Sequence, residues 1–392
     1  MSTTSKAAGT AGRKLRMGMV GGGPGAFIGN VHRMAARLDG GIEVVCGAFS
    51  SSADKSAAQG RELYLDPARA YASYAEMFER EAALPPGERM DFVSIVTPNH
   101  LHFPPAVAAL AAGFHVVCDK PMTVSVEQAE QLVAAVRETG LVFGLTHNYT
   151  GYPMVRQARQ MVADGTFGKV RRVLVEYPQG WLAQKLEDTG QKQAAWRSDP
   201  EKSGAAGALG DIGTHAENLA SYVIGEQPAR LLAEVGSLVE GRVLDDDASV
   251  LMRYPSGARA LLFCSQIAVG EENGLRLRVY GERGGCDWRQ EEPNTLRVMR
   301  DGAPSTLYRT GVGELADAAT AATRLPAGHP EGFLEAFANI YRGVARAIRR
   351  HAGETVDEAG PLDFPGVEDG LHGMRFIAAA LRSGRDNTWV DV

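Results

Sequence analysis

The stretch Leu15-Arg16-Met17-Gly18-Met19-Val20-Gly21-Gly22-Gly23-Pro24-Gly25-Ala26-Phe27-Ile28-Gly29 decides how the rest of the chain is read. Residues 15–20 have the apolar content of a short buried strand, and residues 29–38 have helical periodicity. A glycine-rich turn between strand and helix lets backbone approach a pyrophosphate. The free N–H groups at the helix N-terminus add the positive end of its dipole. The fingerprint G-x-G-x-x-G is not met strictly, because Ala26 stands where its third glycine belongs. The close-packing glycine is therefore expected at Gly29, after a short insertion. Gly21, Gly23, Gly25, Phe27 and Ile28 are the residues expected around a dinucleotide.

Outward from this turn, short apolar runs alternate with helical patterns. Strands are predicted at 15–20, 42–49, 92–96, 115–117 and 142–145. Helices are predicted at 29–38, 54–63, 74–81, 105–112 and 126–138. Such alternation indicates an α/β fold with a doubly wound parallel sheet and right-handed crossovers. After Tyr149 the pattern changes. A helix at 153–162 and a strand at 170–177 precede a glycine-rich, polar stretch, 178–210, read as an irregular functional or mobile loop. A helix at 211–223 follows, then consecutive strands across 229–299, which indicate a mostly antiparallel sheet. Helices at 331–349 and 367–381 close the chain. The expected organisation is a disordered tail (1–14), a Rossmann dinucleotide-binding domain (15–147), and an α+β domain (148–392) with a large open sheet for substrate binding and oligomerisation.

Composition narrows the function. The chain has 392 residues, 44% hydrophobic and 22% charged, enough for two ordinary globular domains. A net charge of -6 argues against nucleic acid as the partner. No segment nears the roughly 20 apolar residues of a membrane span, and the apolar run after the basic start is too short for a secretion signal. Cys46, Cys118, Cys264 and Cys286 lack C-x-x-C spacing and read as buried free thiols of a cytoplasmic protein. No metal site is expected, since His100 and His102 have no Cys or carboxylate at ligand spacing.

Four further motifs carry chemistry. The second strand ends in Phe49-Ser50-Ser51-Ser52, where an enzyme gripping the free ribose of NAD usually places Asp or Glu. Ser50, Ser51 and Lys55 suit a 2′-phosphate instead, so the cofactor is NAD or NADP with a lean to NADP; alternatively, Ser51 or Ser52 simply caps the next helix. Thr97-Pro98-Asn99-His100 follows the third strand and either meets the dinucleotide or forms a plain turn. In Asp119-Lys120-Pro121 the proline keeps Lys120 out of the helical region, so it either overhangs the cleft or is a surface lysine. Asp211 and His215 lie four apart on one helix face. Histidine suits proton transfer near neutrality and a carboxylate can orient it, although Asp211 also fits an N-cap. Asp245-Asp246-Asp247 reads as a solvated turn, with one carboxylate able to support a site from behind. Tyr149, Trp181, Trp196 and Arg197 either line a sugar-sized pocket or pack their loops.

With these residues in hand, the chain resembles the glucose–fructose oxidoreductase and inositol dehydrogenase (Gfo/Idh/MocA) family. The resemblance runs from about residue 15 to the C-terminus. It rests on the glycine turn followed by His32, on Asp119-Lys120-Pro121 (usually Glu-Lys-Pro in the family), and on Gly210-Asp211-Ile212-Gly213-Thr214-His215. It implies hydride transfer between a nicotinamide cofactor and a hydroxyl or ketone of a sugar, cyclitol or glycoside. His215 would be the base, Lys120 a hydrogen-bond donor to the reacting oxygen, and Asp211 an orienter of the imidazole or a holder of a neighbouring hydroxyl. It also implies a cis peptide before Pro121 and a homodimer or homotetramer. Val250, Met252, Leu262, Phe263, Leu277 and Val279 place apolar residues on both alternating sets of the later strands, which suits association through that sheet. Two other readings stand: a dinucleotide-binding sensor without catalysis, and a cofactor-assisted glycosidase.

Overall fold

The structure, a computed structural model, describes residues 12–356 and 362–392. Residues 1–11 of the expected tail lie outside the described residues. Just after them, Arg13 grips Asp91 through two hydrogen bonds of 2.6 Å, which ties the chain to the first sheet before its first strand begins.

That sheet contains β1 (Leu15–Gly21), β2 (Ile42–Ala48), β3 (Phe92–Val96), β4 (His115–Cys118) and β5 (Phe143–Leu145), in the order β2-β1-β3-β4-β5. Every pair is parallel. All residues of β3, β4 and β5 are buried, as the unbroken apolar runs require when helices cover both faces. The intervening helices are α1 (Phe27–Leu38), α2 (Ala53–Glu62), α3 (Tyr74–Ala82), α4 (Phe103–Ala111) and α5 (Val126–Thr139). Chain order reverses between β1 and β3, so the crevice at their carboxyl ends is where such a sheet takes a ligand.

Beyond α6 (Pro153–Ala163) comes the second sheet. Its strands are β6 (Val170–Pro178), β7 (Arg230–Gly236), β8 (Asp247–Arg253), β9 (Arg259–Ser265), β10 (Arg276–Gly281), β11 (Gly284–Arg289), β12 (Thr295–Arg300), β13 (Thr306–Arg309) and β14 (Val390–Asp391). They run in the order β13-β12-β11-β10-β6-β9-β8-β7-β14. Their pairing is antiparallel except where β6 lies parallel to β9, which leaves β6 in the middle of the sheet. The expected loop at 178–210 is not irregular throughout. It holds α7 (Lys192–Arg197) and α8 (Pro200–Ser203), capped by Gln191 and Asp199 side chains. The periodicity of 3.6 is too short-lived in such one-turn helices to stand out from a polar stretch.

One face of this sheet packs on helices. Val250, Met252, Leu262, Leu277 and Val279 all lie on that covered face, with exposures of at most 1%. Of the six apolar strand residues, Phe263 alone points to the other face, which is open in the single chain and carries Leu251 and Leu261, 41% and 38% exposed. The helices α9 (Thr214–Ile224), α10 (Asp317–Ala322), α11 (Phe333–His351) and α12 (Val367–Asp386) complete the molecule. Helix α11 crosses back to the first sheet: Phe337, Tyr341, Val344 and Ile348 share a core with Met17, Met19 and Val31. The mouth of the first sheet therefore faces the second half of the chain. All four cysteines are buried and free. Among the described residues no helix is long and apolar enough to cross a membrane.

Candidate active site

The glycine turn is built of backbone. Gly21, Gly22 and Gly25 have φ of +86°, +71° and +75°. A Cβ on Gly29 would lie 2.4 Å from the Gly22 Cα, so Gly29 is the close-packing glycine between helix and strand. At Gly25 a Cβ would meet nothing within 4 Å, so this part of the turn faces open space. Helix α1 begins at Phe27 without a side-chain cap and without an acidic residue in its first turn. Its first N–H groups remain free for an anion. This cradle fits the diphosphate of a dinucleotide. Phe27 is 69% exposed at its rim and Ile28 half-buried beside it.

At the end of β2, Ser52 caps α2 by accepting the Lys55 N–H at 3.5 Å, and Ser50 Oγ accepts the Ser52 N–H at 3.2 Å. The capping alternative is thus realised by Ser52. Ser51 and Lys55 remain exposed, and no carboxylate stands between Phe49 and Ala53. At the end of β3, Thr97 Oγ1 donates to the Leu101 carbonyl at 2.9 Å. Asn99 donates to the Ser203 carbonyl at 2.9 Å, and a nitrogen of His100 meets the Lys202 carbonyl at 3.2 Å. These two side chains tie the first half of the chain to α8.

Lys120 leaves the sheet two residues after Cys118, the last buried position of β4. The peptide joining it to Pro121 is cis. Asp119 Oδ1 fixes this corner by accepting the Lys120 N–H at 3.0 Å and the Thr146 hydroxyl at 2.7 Å. Behind it, His32 Nε2 lies 3.8 Å from the same carboxylate, and His32 Nδ1 meets the Tyr341 hydroxyl at 2.7 Å. Burial pushes the Asp119 carboxyl up, but His32 and Lys120 outweigh it and hold it well below the usual carboxylate range.

Asp211 is where the sequence reading and the structure part. It does not cap a regular helix. Residues Leu209–Gly213 form a single wide π-type turn that leads into α9. Asp245 holds this turn by accepting the Gly207 and Leu209 N–H groups at 2.6 and 2.7 Å. Asp245 and Asp246 are 8% and 1% exposed, so the acidic triplet is not a solvated turn; the pattern of like charges hid the backbone donors that these two carboxylates serve. The Asp211 carboxylate accepts from Lys120 Nζ at 2.9 Å, from Arg197 Nε at 3.1 Å and from Gln266 Nε2 at 2.9 Å. None of these is the imidazole of His215. Burial raises the Asp211 pKa, yet the Lys120 and Arg197 charges outweigh it and hold the group ionised, well below the usual range.

His215 is 7% exposed, and its Nδ1 lies 3.4 Å from Nδ1 of His147. Tyr149 packs edge-on against it with centroids 4.7 Å apart. Burial, then Lys120 and His147, lower the His215 pKa well below the ordinary histidine value, so the ring is neutral at pH 7. Tyr149 itself bonds Tyr177, whose hydroxyl donates to Asn273 Oδ1 at 2.7 Å. Trp181 donates to Gln179 at 3.1 Å, and the Arg197 guanidinium lies 4.2 Å over the Trp196 ring. The pocket therefore gathers Lys120, Asp211, His215, Tyr149 and Arg197. It adds His147, Tyr177, Gln266 and Asn273, which the sequence reading missed. His147 follows β5 in Thr146-His147-Asn148-Tyr149, and a strand end in this sheet was the available clue.

A scan of family models matches residues 15–149 to the oxidoreductase family with an NAD-binding Rossmann fold and residues 155–287 to the GFO/IDH/MocA C-terminal domain. The oxidoreductase YfiI of Bacillus subtilis, itself uncharacterised, is 34% identical over 97% of both chains. The chain belongs to the GFO/IDH/MocA family. The levoglucosan dehydrogenase of Pseudarthrobacter phenanthrenivorans is 27% identical over 76% of this chain and 79% of its own length. An inositol dehydrogenase homologue from Azotobacter vinelandii, solved with NAD+, superposes with a TM-score of 0.93 at 35% identity over 98% of both chains. Its complex with NADH and myo-inositol superposes with a TM-score of 0.89 at 35% identity, over 97% of this chain and 98% of that one. The protein is an NAD-binding oxidoreductase of this family, with a parallel Rossmann sheet and a mostly antiparallel second sheet.

Proposed function

We propose that the protein interconverts a secondary hydroxyl and a ketone on a sugar, cyclitol or glycoside. The observation that carries this reading is the ion cluster of Lys120, Asp211 and Arg197 with a neutral, buried His215 beside it, at the carboxyl edge of a dinucleotide-binding sheet. The polyol and anhydrosugar named for its relatives support that substrate class. A nicotinamide dinucleotide held through its diphosphate at the glycine turn would supply the hydride acceptor or donor. The chain's own residues manage the proton. His215 accepts it from the substrate hydroxyl, and in reduction returns it. Lys120 Nζ donates a hydrogen bond to the same oxygen and stabilises the charge that develops there. Asp211 holds Lys120 in place rather than orienting His215. Trp181 and Trp196 offer apolar faces to a ring, and Gln179 and Asn273 offer polar contacts to its hydroxyls.

The test is a pair of variants. Lys120→Ala and His215→Ala are each expected to lower turnover on the order of 10²–10⁴-fold while cofactor still binds. Near-normal turnover in either variant shows that the residue replaced is neither base nor hydrogen-bond donor in the reaction. We further propose weak discrimination between the two cofactors with a lean to NADP, because Ser51 and Lys55 are free and the β2 loop lacks a carboxylate. The open face of the second sheet, with Leu251 and Leu261 exposed, supports a homodimer or homotetramer joined there. Light scattering that returns the 41.9 kDa of one chain would remove that assembly.

A further inference from the structure

We infer that His147 is the positioning residue for His215: its Nδ1 accepts the Nδ1–H of His215 and leaves Nε2 of His215 as the nitrogen that exchanges a proton with substrate. This rests on the reading of His215 as the base. Two imidazole nitrogens 3.4 Å apart share one hydrogen, so one ring donates and the other accepts. The rings stand nearly perpendicular, at 86° with centroids 5.3 Å apart, so contact is made at a nitrogen rather than by stacking.

The position is built from both sides. The Thr146 N–H donates to the Cys118 carbonyl at 3.0 Å, and the Thr146 hydroxyl to Asp119 at 2.7 Å. Residue 147 is thereby fixed to the same corner that presents Lys120. The Thr150 hydroxyl donates to the His147 carbonyl at 2.9 Å, which closes the turn after it. Among the described residues no carboxylate hydrogen-bonds to His215 as the acidic residue does beside the base in a Ser-His-Asp arrangement; the partner its ring meets is His147. Asp211 is fully engaged by Lys120, Arg197 and Gln266. The groups acting on His215 are Lys120, Asp119, Asp211 and His147, with the Tyr149 and Tyr177 rings packed against it.

A neutral acceptor serves both directions. In oxidation, His215 carries its hydrogen on Nδ1 and receives the substrate proton on Nε2. In reduction, the imidazolium gives up the Nε2 proton. The Nδ1–H stays bonded to His147 throughout, so no proton is lost or gained at that contact. His147 is suited to remain neutral, since burial, then the Lys120 charge, push its pKa down to about 3.

The test uses the side chain's own geometry. Oδ1 of Asn and of Asp is bonded to Cγ as Nδ1 of His is, so His147→Asn keeps an acceptor, His147→Asp adds charge to it, and His147→Leu removes it. His147→Leu is expected to lower kcat on the order of 10–100-fold, with KM and cofactor affinity changed less than about threefold. His147→Asn is expected to keep turnover within about fivefold of the parent. His147→Asp is expected to move the acid limb of the pH profile to higher pH, because a carboxylate stabilises the His215 imidazolium. Adding His147→Leu to His215→Ala is expected to cost nothing further, as groups acting as a unit do. The inference is overturned if the Leu variant keeps turnover within about twofold, if Asn and Leu fall equally, or if the losses multiply in the double variant. Should His147→Leu fail to fold, an acid limb in His147→Asp that matches the parent overturns it alone. Normal turnover in His215→Ala strikes the base reading itself, a result distinct from all of these.

Discussion

The two ends of the cleft are made of different material. The cradle at 21–29 uses peptide N–H groups and missing side chains, and it leaves Pro24, Gly25 and Phe27 exposed. The pocket around Lys120 uses ionised side chains taken largely out of water: Lys120 and Asp211 side chains are 14% and 18% exposed. Backbone donors are indifferent to what the side chains are, provided none intrudes. A cluster of buried charges is the opposite, since removing one partner leaves another uncompensated. Damage at one end should therefore appear in binding, and damage at the other in turnover.

The losses expected for Lys120→Ala and His215→Ala, on the order of 10²–10⁴-fold, are the largest and belong to turnover. The same region sets the pH behaviour. His215 has its pKa lowered by burial and by Lys120, so its basic form persists as pH falls through the ordinary histidine value. The rate of substrate oxidation should hold across that value and decline only at more acid pH. An acid limb centred at or above the ordinary value would break the assignment of His215 as a buried neutral base.

Smaller is the effect at the cradle. Gly29→Val places atoms within reach of the Gly22 backbone, where even a Cβ would come to 2.4 Å. Overpacking of about 1–3 kcal/mol corresponds to cofactor affinity weakened roughly 5–150-fold. Turnover at saturating cofactor should stay within about threefold of the parent, measured by titration and by initial rates. A fall in turnover without a fall in affinity would erase the contrast between the two ends. Smallest of all is Lys55→Ala. An exposed lysine contributes on the order of 0.2–1 kcal/mol, so NADP should bind about 2–5-fold more weakly and NAD unchanged. A strong preference for NAD that Lys55→Ala leaves alone would end the lean to NADP.

How much of this was legible follows the same division. The parallel sheet, the order of its strands along the chain and the glycine turn are written in local periodicity, so they stand close to where the sequence places them. Even the role of Gly29 was legible, because close packing of helix on strand demands an absent Cβ at that spacing. The partners of Asp211 were not. Four-residue spacing suggested His215 on an ideal helix, but the wide turn at Leu209–Gly213 and the approach of Lys120, Arg197 and Gln266 redirect the carboxylate. All three partners come from other elements, and no local pattern encodes them. The acidic triplet misled for a like reason: its charge was visible, while the backbone N–H groups that Asp245 serves lie almost 40 residues earlier.

The central claim is that a C–H hydrogen of the substrate leaves as hydride while His215 takes the hydroxyl proton. The direct measurement uses myo-inositol deuterated at its ring carbons, together with sugars and glycosides labelled in the same way, incubated with the protein and oxidised cofactor. Mass spectrometry of the reduced cofactor and of the product then reads the outcome. One deuterium is expected in the reduced nicotinamide for each ketone formed, with both lost in Lys120→Ala and His215→Ala. Cleavage of a glycoside with no net reduction of cofactor and no deuterium retained in it would contradict hydride transfer as the reaction of this site.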